Sequence, residues 1–309
     1  MSTFLRSLLD YSPLNLLPLT PPTYASALSI YHALCITLPI QLSTAFYPTG
    51  KTSLPTLPLN LPGKPAWILM ELVSPLLTTL SIFSLHPRSG PSVNLLTDLT
   101  TSLGSPQARL IALCYYTHYT YRALISPLLN PSMAPMNITI LLVGLIFNAF
   151  NGTMLGSYFA GIDGTIHNAP STPRVLLGLT IWATGFAGNI YHESILRAIR
   201  TSSPKLPTPK QKADMSKEKD TVVVDGRVYK IPQCGLFDYV LHAHYFSEWV
   251  EWTGLWIATG SGWRNPVLLF VMFEVATMLP RAVQGRRWYV EKFGRAVVGG
   301  RKAVVPFLV

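Results

Sequence analysis

The sequence predicts an all-α, polytopic membrane protein with seven transmembrane helices, and three observations lead there. Only 12% of the 309 residues are charged while 49% are hydrophobic, against about 25% charged residues in a soluble domain. Apolar stretches long enough to cross a bilayer core, about 20 residues each, recur seven times. The basic residues outside those stretches are gathered into two segments rather than spread over a surface. A mean hydropathy of +0.32 agrees with this class, and the 26 prolines and 21 glycines are too dispersed for a disordered or collagen-like chain.

The stretches cover residues 24–44, 66–85, 108–129, 137–160, 173–196, 236–260 and 266–283. The third and sixth contain polar groups that lipid would not tolerate, so they must turn those groups toward protein. Before the first stretch, Phe4 to Asp10 reads as a short interfacial helix, which makes 1–23 an N-terminal interfacial segment and 24–309 a single seven-helix domain. Pro55 to Pro65 reads as an extended connector. No internal repeat is present. The opening residues lack the basic region and unbroken apolar run of a signal peptide, so insertion is expected to rely on the helices themselves.

Charge sets the orientation. Of the 24 Lys and Arg residues, nine lie between Arg197 and Lys230 and seven between Arg281 and Lys302. Two stretches separate these segments, so both lie on one side, and the positive-inside tendency makes that side cytoplasmic. The loop 197–235 and the tail 284–309 are therefore expected in the cytoplasm and the N-terminus opposite. Such segments suit attraction to anionic membrane lipid and equally a docking surface for a polyanionic cofactor.

Acidic residues at membrane depth are costly and normally face a partner or a cavity. Glu71 and Glu193 lie inside predicted stretches, and Glu248, Glu251 and Glu274 follow in later ones. Asn189, Glu193, Arg197 and Arg200 share one helical face leading toward the cytoplasm, and His244, Glu248 and Glu251 repeat the pattern on the sixth stretch. Two such faces would build a cavity of amide, carboxylate and guanidinium groups suited to a nucleotide. A local Glu193–Arg197 pair is the simpler alternative. The third stretch holds Tyr115, Tyr116, Thr117, His118, Tyr119, Thr120, Tyr121 and Arg122. That density is either an interfacial aromatic belt or, with Glu71, a set of donors that polarise a carbonyl in a dry pocket.

Several classes are excluded. Cys35, Cys114 and Cys234 are far apart with no zinc-ligand spacing, so no metal ion is expected. No glycine-rich dinucleotide or P-loop motif, no nucleophile-elbow serine motif and no H-E-x-x-H occurs. No nucleic-acid-binding module surrounds the basic residues. The sequons at Asn137 and Asn151 fall at or inside the fourth stretch, where glycosylation is not expected.

Specific strings then accumulate in the C-terminal third: Gly188-Asn-Ile-Tyr-His-Glu193-Ser-Ile-Leu-Arg197, Tyr229-Lys-Ile-Pro-Gln-Cys234-Gly235, Tyr245-Phe-Ser-Glu248-Trp-Val-Glu251-Trp252, Arg287-Trp-Tyr289 and Arg301-Lys-Ala-Val-Val-Pro306-Phe307. With Ala66 to Leu72, His118-Tyr119, Arg122 and Asn130 upstream, the chain resembles the steroid 5α-reductase family from about residue 45 onward. The resemblance implies a multi-pass enzyme of the endoplasmic reticulum membrane that uses NADPH to saturate the C=C bond of an α,β-unsaturated ketone, a Δ4-3-ketosteroid or similar apolar enone. By the same resemblance Glu71 and Tyr119 hydrogen-bond the substrate carbonyl, Trp252 walls the substrate pocket, and Asn189, Glu193, Arg200, Tyr229, Glu248 and Tyr289 bind the cofactor. Arg197 and His244 join that cofactor set by their place on the two polar faces. A polyprenol or trans-2-enoyl-CoA reductase of the same superfamily, a membrane methyltransferase and a non-catalytic membrane protein are the alternatives.

The chain departs from the family pattern at the cytoplasmic mouth. Met133 stands where an Arg is expected, His244 replaces Asn, Ser247 replaces Gly, and Cys234 replaces the first Gly of I-P-Q-G-G. A His-rich run is replaced by Val283-Gln-Gly-Arg286, and only Thr49-Gly-Lys51 remains of a first-loop signature.

Overall fold

The computed structural model describes residues 17–36, 40, 42, 58–86, 94–168, 171–203, 208, 218–224, 226–260 and 262–309. Helices occupy each of the seven apolar stretches. The interfacial helix at 4–10 and the Thr49–Lys51 remnant lie outside the described residues.

Local chemistry starts these helices where the chain supplies a cap. Helix α1, Pro21–Cys35, opens on Thr20, whose hydroxyl accepts from the Thr23 amide, and on prolines at its first positions. A two-residue strand, β1 at Asn60–Leu61, precedes α2, Gly63–Leu85, so the expected extended connector is already helical at residues 63–65. Next comes α3, Leu95–Ser102, capped by Asn94. Helix α4, Pro106–Tyr119, is capped by Ser105 and runs on through a π-helical stretch, Thr120–Ile125, into α5, Ser126–Leu129. The Ser126 amide bonds the Tyr121 carbonyl five residues back, and the next residue, Pro127, has no N–H to return the ladder to its usual spacing.

Strand β2, Met136–Asn137, pairs antiparallel with β1 and leads into α6, Ile138–Phe159. Asn137 caps α6 through its side-chain oxygen while its Nδ2 donates to the Pro58 carbonyl at 3.0 Å, so this sequon side chain is fully engaged. Helix α7, Thr172–Ser202, continues well past 197 into what the sequence suggests is loop. An antiparallel hairpin follows, β3 Thr221–Val224 with β4 Arg227–Lys230. Helix α8, Ala243–Thr259, begins later than the sixth stretch, which opens instead with a short 3₁₀ turn at Gly235–Asp238. Helix α9, Pro266–Phe293, capped by Asn265, and α10, Arg295–Val298, complete the order.

Helices α2, α6 and α9 are long and apolar enough to cross a membrane. At about 1.5 Å per residue, the 23 residues of α2 match a hydrocarbon core of about 30 Å. Their burial runs opposite to that of a soluble helix. On α2 the buried side includes Glu71, Ser74, Thr78 and Ser81, while Leu69, Leu76 and Leu80 are exposed, as are Leu142, Val143 and Ile146 on α6. Polar and small residues inside with leucines outside is the arrangement lipid favours and water does not. The chain is thus a mostly helical, multi-pass membrane protein.

Two helix pairs form the frame. In the α2–α6 pair, side chains at Gly152 and Gly156 would run into the backbone of Ser74 and Thr78, so Gly152-Thr-Met-Leu-Gly156 is a small-xxx-small contact. In the α7–α8 pair, Gly178 and Gly185 meet the backbone of Ala258 and Glu251, and Gly254 of α8 meets Trp182. Helix α4 lies between the pairs, with Tyr115, Trp252, Phe159 and Phe270 fully or nearly buried around it. At one end the C-terminal residues fold back on the turn before α8: Leu241 and His242 donate to the Lys302 and Ala303 carbonyls, both at 3.0 Å, and Arg301 Nε donates to the Phe237 carbonyl.

Candidate active site

Glu71 lies on the buried face of α2, one turn before Pro75, whose missing N–H releases the Glu71 carbonyl from the helical ladder. Its carboxylate is 3.6 Å from Arg122 Nε. The same guanidinium reaches Glu193 of α7 and Glu248 of α8, at 3.6 and 3.7 Å from Nη1, and stacks over Trp67 at 4.8 Å. His118, one turn before Arg122, approaches Glu251 at 2.8 Å and Glu248 at 3.8 Å. Arg122 thus joins three helices, and the π-helical stretch that contains it is the kind of widened turn found at functional sites.

Tyr119 is buried between Trp252 and Tyr115, with ring centroids 6.4 and 4.7 Å away. Its hydroxyl is 3.5 Å from Asn151 Nδ2, and Glu71 lies within electrostatic range of it. Trp252 also packs on His118 and Phe270, at 4.8 and 4.6 Å, so it closes one side of the space around Tyr119. Glu71, Tyr119 and Trp252 therefore stand together, with Tyr119 held by an amide and Glu71 by a guanidinium.

The residues expected to bind a cofactor divide between two levels. Glu193 and Glu248 belong to the Arg122 cluster. Glu193 accepts from Ser126 Oγ at 2.6 Å, and among the described residues its ion-pair partner is Arg122 rather than Arg197. Arg197 instead donates to Tyr121 OH at 3.2 Å, and Arg200 donates to Asn130 Oδ1 at 2.9 Å. Arg200 lies within electrostatic range of Tyr289 and Tyr245. Tyr289 is buried with Ile231 and Leu241, and Tyr229 meets Trp288 edge-on at 4.9 Å. His244 packs against Tyr245 and Phe237.

The site has loose ends. Asn189 is 2% exposed, yet among the described residues its Oδ1 has no hydrogen-bond partner, and neither has the buried Nε of Arg197. Buried polar atoms are normally satisfied. An amide acceptor and a guanidinium donor left open on one helix fit a ligand that carries both an amide and phosphates, such as a nicotinamide dinucleotide.

Sequence reading missed Arg122 as the common partner of the carboxylates, the His118–Glu251 contact, and Asn151 beside Tyr119. The signal for Arg122 was present, because acids at membrane depth demand a cation and it is the sole Lys or Arg between 110 and 129. Glu274 is also buried, with Oε2 unpartnered, within electrostatic range of Glu71, Glu248 and Arg122.

A polar cluster of this kind inside a lipid-facing helical frame marks a functional site of a membrane protein. Comparison with known proteins identifies its family. The family model for 3-oxo-5-alpha-steroid 4-dehydrogenase matches residues 134–213 and 216–309. The chain is 35% identical to "Uncharacterized protein C9.08c" of Schizosaccharomyces pombe over 80% of this chain and 84% of that one. It is 29% identical to human "3-oxo-5-alpha-steroid 4-dehydrogenase 1" over 84% and 85% of the two chains, and 30% identical to "Steroid 5-alpha-reductase DET2" of Solanum lycopersicum over 66% and 70%. The chain belongs to the 3-oxo-5-alpha-steroid 4-dehydrogenase family, the steroid 5α-reductases, and is an oxidoreductase acting on CH–CH groups.

Proposed function

We propose that this enzyme uses NADPH to reduce the C=C bond of an α,β-unsaturated ketone, a Δ4-3-ketosteroid or similar apolar enone that enters from the membrane. The observation that carries the reading is the burial of Tyr119 and Glu71 together, walled by Trp252. Conjugate reduction develops negative charge on the carbonyl oxygen as an enolate, and a preorganised hydroxyl donor in a dry site stabilises that charge far better than water does. Tyr119 is the donor in this reading, and Glu71, held by Arg122, fixes the polar end of the pocket.

Asn189 would take the amide of the cofactor, and Arg197, Arg200, Tyr229 and Tyr289 its ribose and phosphates, with Glu193 and Glu248 lining the route between the two levels and His244 at its mouth. The chemistry NADPH supplies when bound is a hydride for the β-carbon. The protein's part is alignment to about 3–3.5 Å and exclusion of water, for which the aromatic packing around Trp252 is suited. We further infer that all seven helices cross the endoplasmic reticulum membrane as one domain over 24–309, with the loop 197–235 and the tail 284–309 in the cytoplasm. Protease added to intact microsomes then cuts between 201 and 228, and protection of that segment overturns the topology.

The test of function is an assay of microsomes containing the protein with a Δ4-3-ketosteroid, following NADPH consumption and product mass beside the Glu71→Gln variant. A gain of two mass units that depends on the unsubstituted protein is expected. Bound NADPH with no gain on any enone overturns the reaction.

A further inference from the structure

Beyond the residues already given roles, one hydrogen-bonded chain leads from the first helix to the proposed carbonyl donor. Tyr31 of α1 and Asn151 of α6 are both fully buried. The Tyr31 hydroxyl donates to Asn151 Oδ1 at 2.7 Å, and Asn151 Nδ2 faces Tyr119 OH at 3.5 Å. Tyr31 is itself held edge-on by Phe147 and Phe150, with centroids 6.2 and 5.2 Å away.

The direction of the chain follows from counting protons. A phenol has one proton to give, and Tyr31 gives it to the amide oxygen, which leaves the Asn151 NH₂ aimed at Tyr119. On the other side, Thr78 donates to the Gly152 carbonyl at 3.0 Å, so its 2.7 Å contact with Tyr115 takes the Tyr115 proton. Ser74 must then donate to Tyr115, at 2.9 Å, and has no proton left for Tyr119. Asn151 is therefore the donor to Tyr119, and the Tyr119 proton is the one left to give, to the neighbouring Ser74 oxygen when no substrate is bound and to a substrate carbonyl that takes its place. A hydroxyl whose oxygen receives a hydrogen bond is also a stronger donor.

We infer that Asn151 is a positioning residue that fixes the Tyr119 hydroxyl as a donor toward the substrate carbonyl, and that Tyr31 fixes Asn151. The inference rests on the role proposed for Tyr119. It also gives the second sequon a use: its amide belongs to the site rather than to a glycan.

Asn151→Asp tests it in the full-length protein in microsomes, with a Δ4-3-ketosteroid as the probe. The substitution keeps shape and replaces the donor with an acceptor, so the Tyr119 proton is drawn away from the carbonyl. The expected result is a kcat lower by about tenfold to a hundredfold, with NADPH affinity within about twofold of the unsubstituted enzyme. Tyr31→Phe, which removes only the orienting bond, should lower kcat by about threefold to tenfold. In a Tyr119→Phe background, Asn151→Asp should cost less than about threefold more, because the group it positions is gone. An unchanged kcat in Asn151→Asp or Tyr31→Phe, or full additivity with Tyr119→Phe, overturns the inference. Full turnover by Tyr119→Phe alone removes the underlying role of Tyr119 instead, so the two failures are distinguishable.

Discussion

The α2–α6 and α7–α8 pairs are joined in the same way and filled differently. Both approach closely through glycines, at Gly152 and Gly156 in one and Gly178, Gly185 and Gly254 in the other. The first pair encloses mainly neutral groups that satisfy one another: Ser74, Thr78 and Tyr115 share protons, and Asn148 donates to the Met70 carbonyl at 2.9 Å. The second pair carries Glu193, Glu248 and Glu251, whose partners His118 and Arg122 come from helix α4 and the π-helical stretch after it, and it leaves Asn189 Oδ1 open among the described residues. Neutral groups that satisfy one another suit the neighbourhood of an apolar substrate that must be kept dry. Charged groups beside a polar atom left open suit the neighbourhood of a polar cofactor. The difference is in keeping with the reaction proposed above at the seam, where His118 and Tyr119 of α4 and Arg122 of the π-helical stretch face both pairs.

The seam is the place to break this arrangement. Arg122→Leu should leave Glu71, Glu193 and Glu248 buried without their cation, at a cost of about 3–5 kcal/mol, seen as a large fall in thermal stability in detergent and loss of protein from the membrane fraction. Adding Glu248→Gln should recover part of that loss. An Arg122→Leu enzyme of unchanged stability would mean that the two pairs hold together without the charge network.

Separating the halves is the sharper test. Tyr119→Phe should lower kcat by about 10²–10³-fold, the worth of one donor to a developing oxyanion, and leave NADPH binding intact. Arg200→Ala should do the reverse, raising the cofactor Kd by roughly tenfold to a hundredfold, the value of one charge-assisted contact, with little change in kcat at saturation. Equal effects of both substitutions on kcat and on cofactor binding would erase the distinction between a substrate half and a cofactor half.

Cys234 offers a test in the opposite direction. It adopts φ +78° and ψ 148° in the turn before the 3₁₀ segment, a region essentially reserved for glycine, and it stands where the family motif has glycine. Cys234→Gly should therefore stabilise the protein by about 1 kcal/mol or more, by releasing strain of order 1–3 kcal/mol less the entropy a glycine loses on folding. A lower melting temperature would show that the thiol makes up for its backbone.

Much of the frame could be read from the sequence, because a bilayer imposes one rule on every crossing segment and the apolar stretches obey it. Helix α3 escaped notice since its eight residues are too short to show a period. The late start of α8 had no local signal: residues 239–242 are drawn into pairing with Lys302 and Ala303 some sixty positions away, and Phe237 and Val240 are buried there. The site was legible by composition but not by connection. Acids at depth announced a polar interior, yet spacing on α7 left open whether Glu193 lined a cavity or took its neighbour Arg197, whereas it takes Arg122 and Ser126. Nothing in the one-dimensional pattern tells a local partner from one brought in by another helix.

The smallest expected effect belongs to the hairpin. Lys230 Nζ lies 3.0 Å from Glu218, which also accepts from Thr221 at 2.8 Å, and these contacts hold the Glu218 carboxyl below its usual range. A depressed carboxyl supports the folded form above its unfolded pKa, and that support is lost as pH falls through the folded value. The pair is exposed and screened, so Lys230→Met should leave global stability unchanged and increase only local amide exchange of residues 221–230. That increase should vanish at a pH low enough to protonate Glu218 in both proteins. A global loss of stability in Lys230→Met would mean that the hairpin, and with it Tyr229 against Trp288, is part of the folded frame rather than a separately opening element beside the proposed cofactor residues.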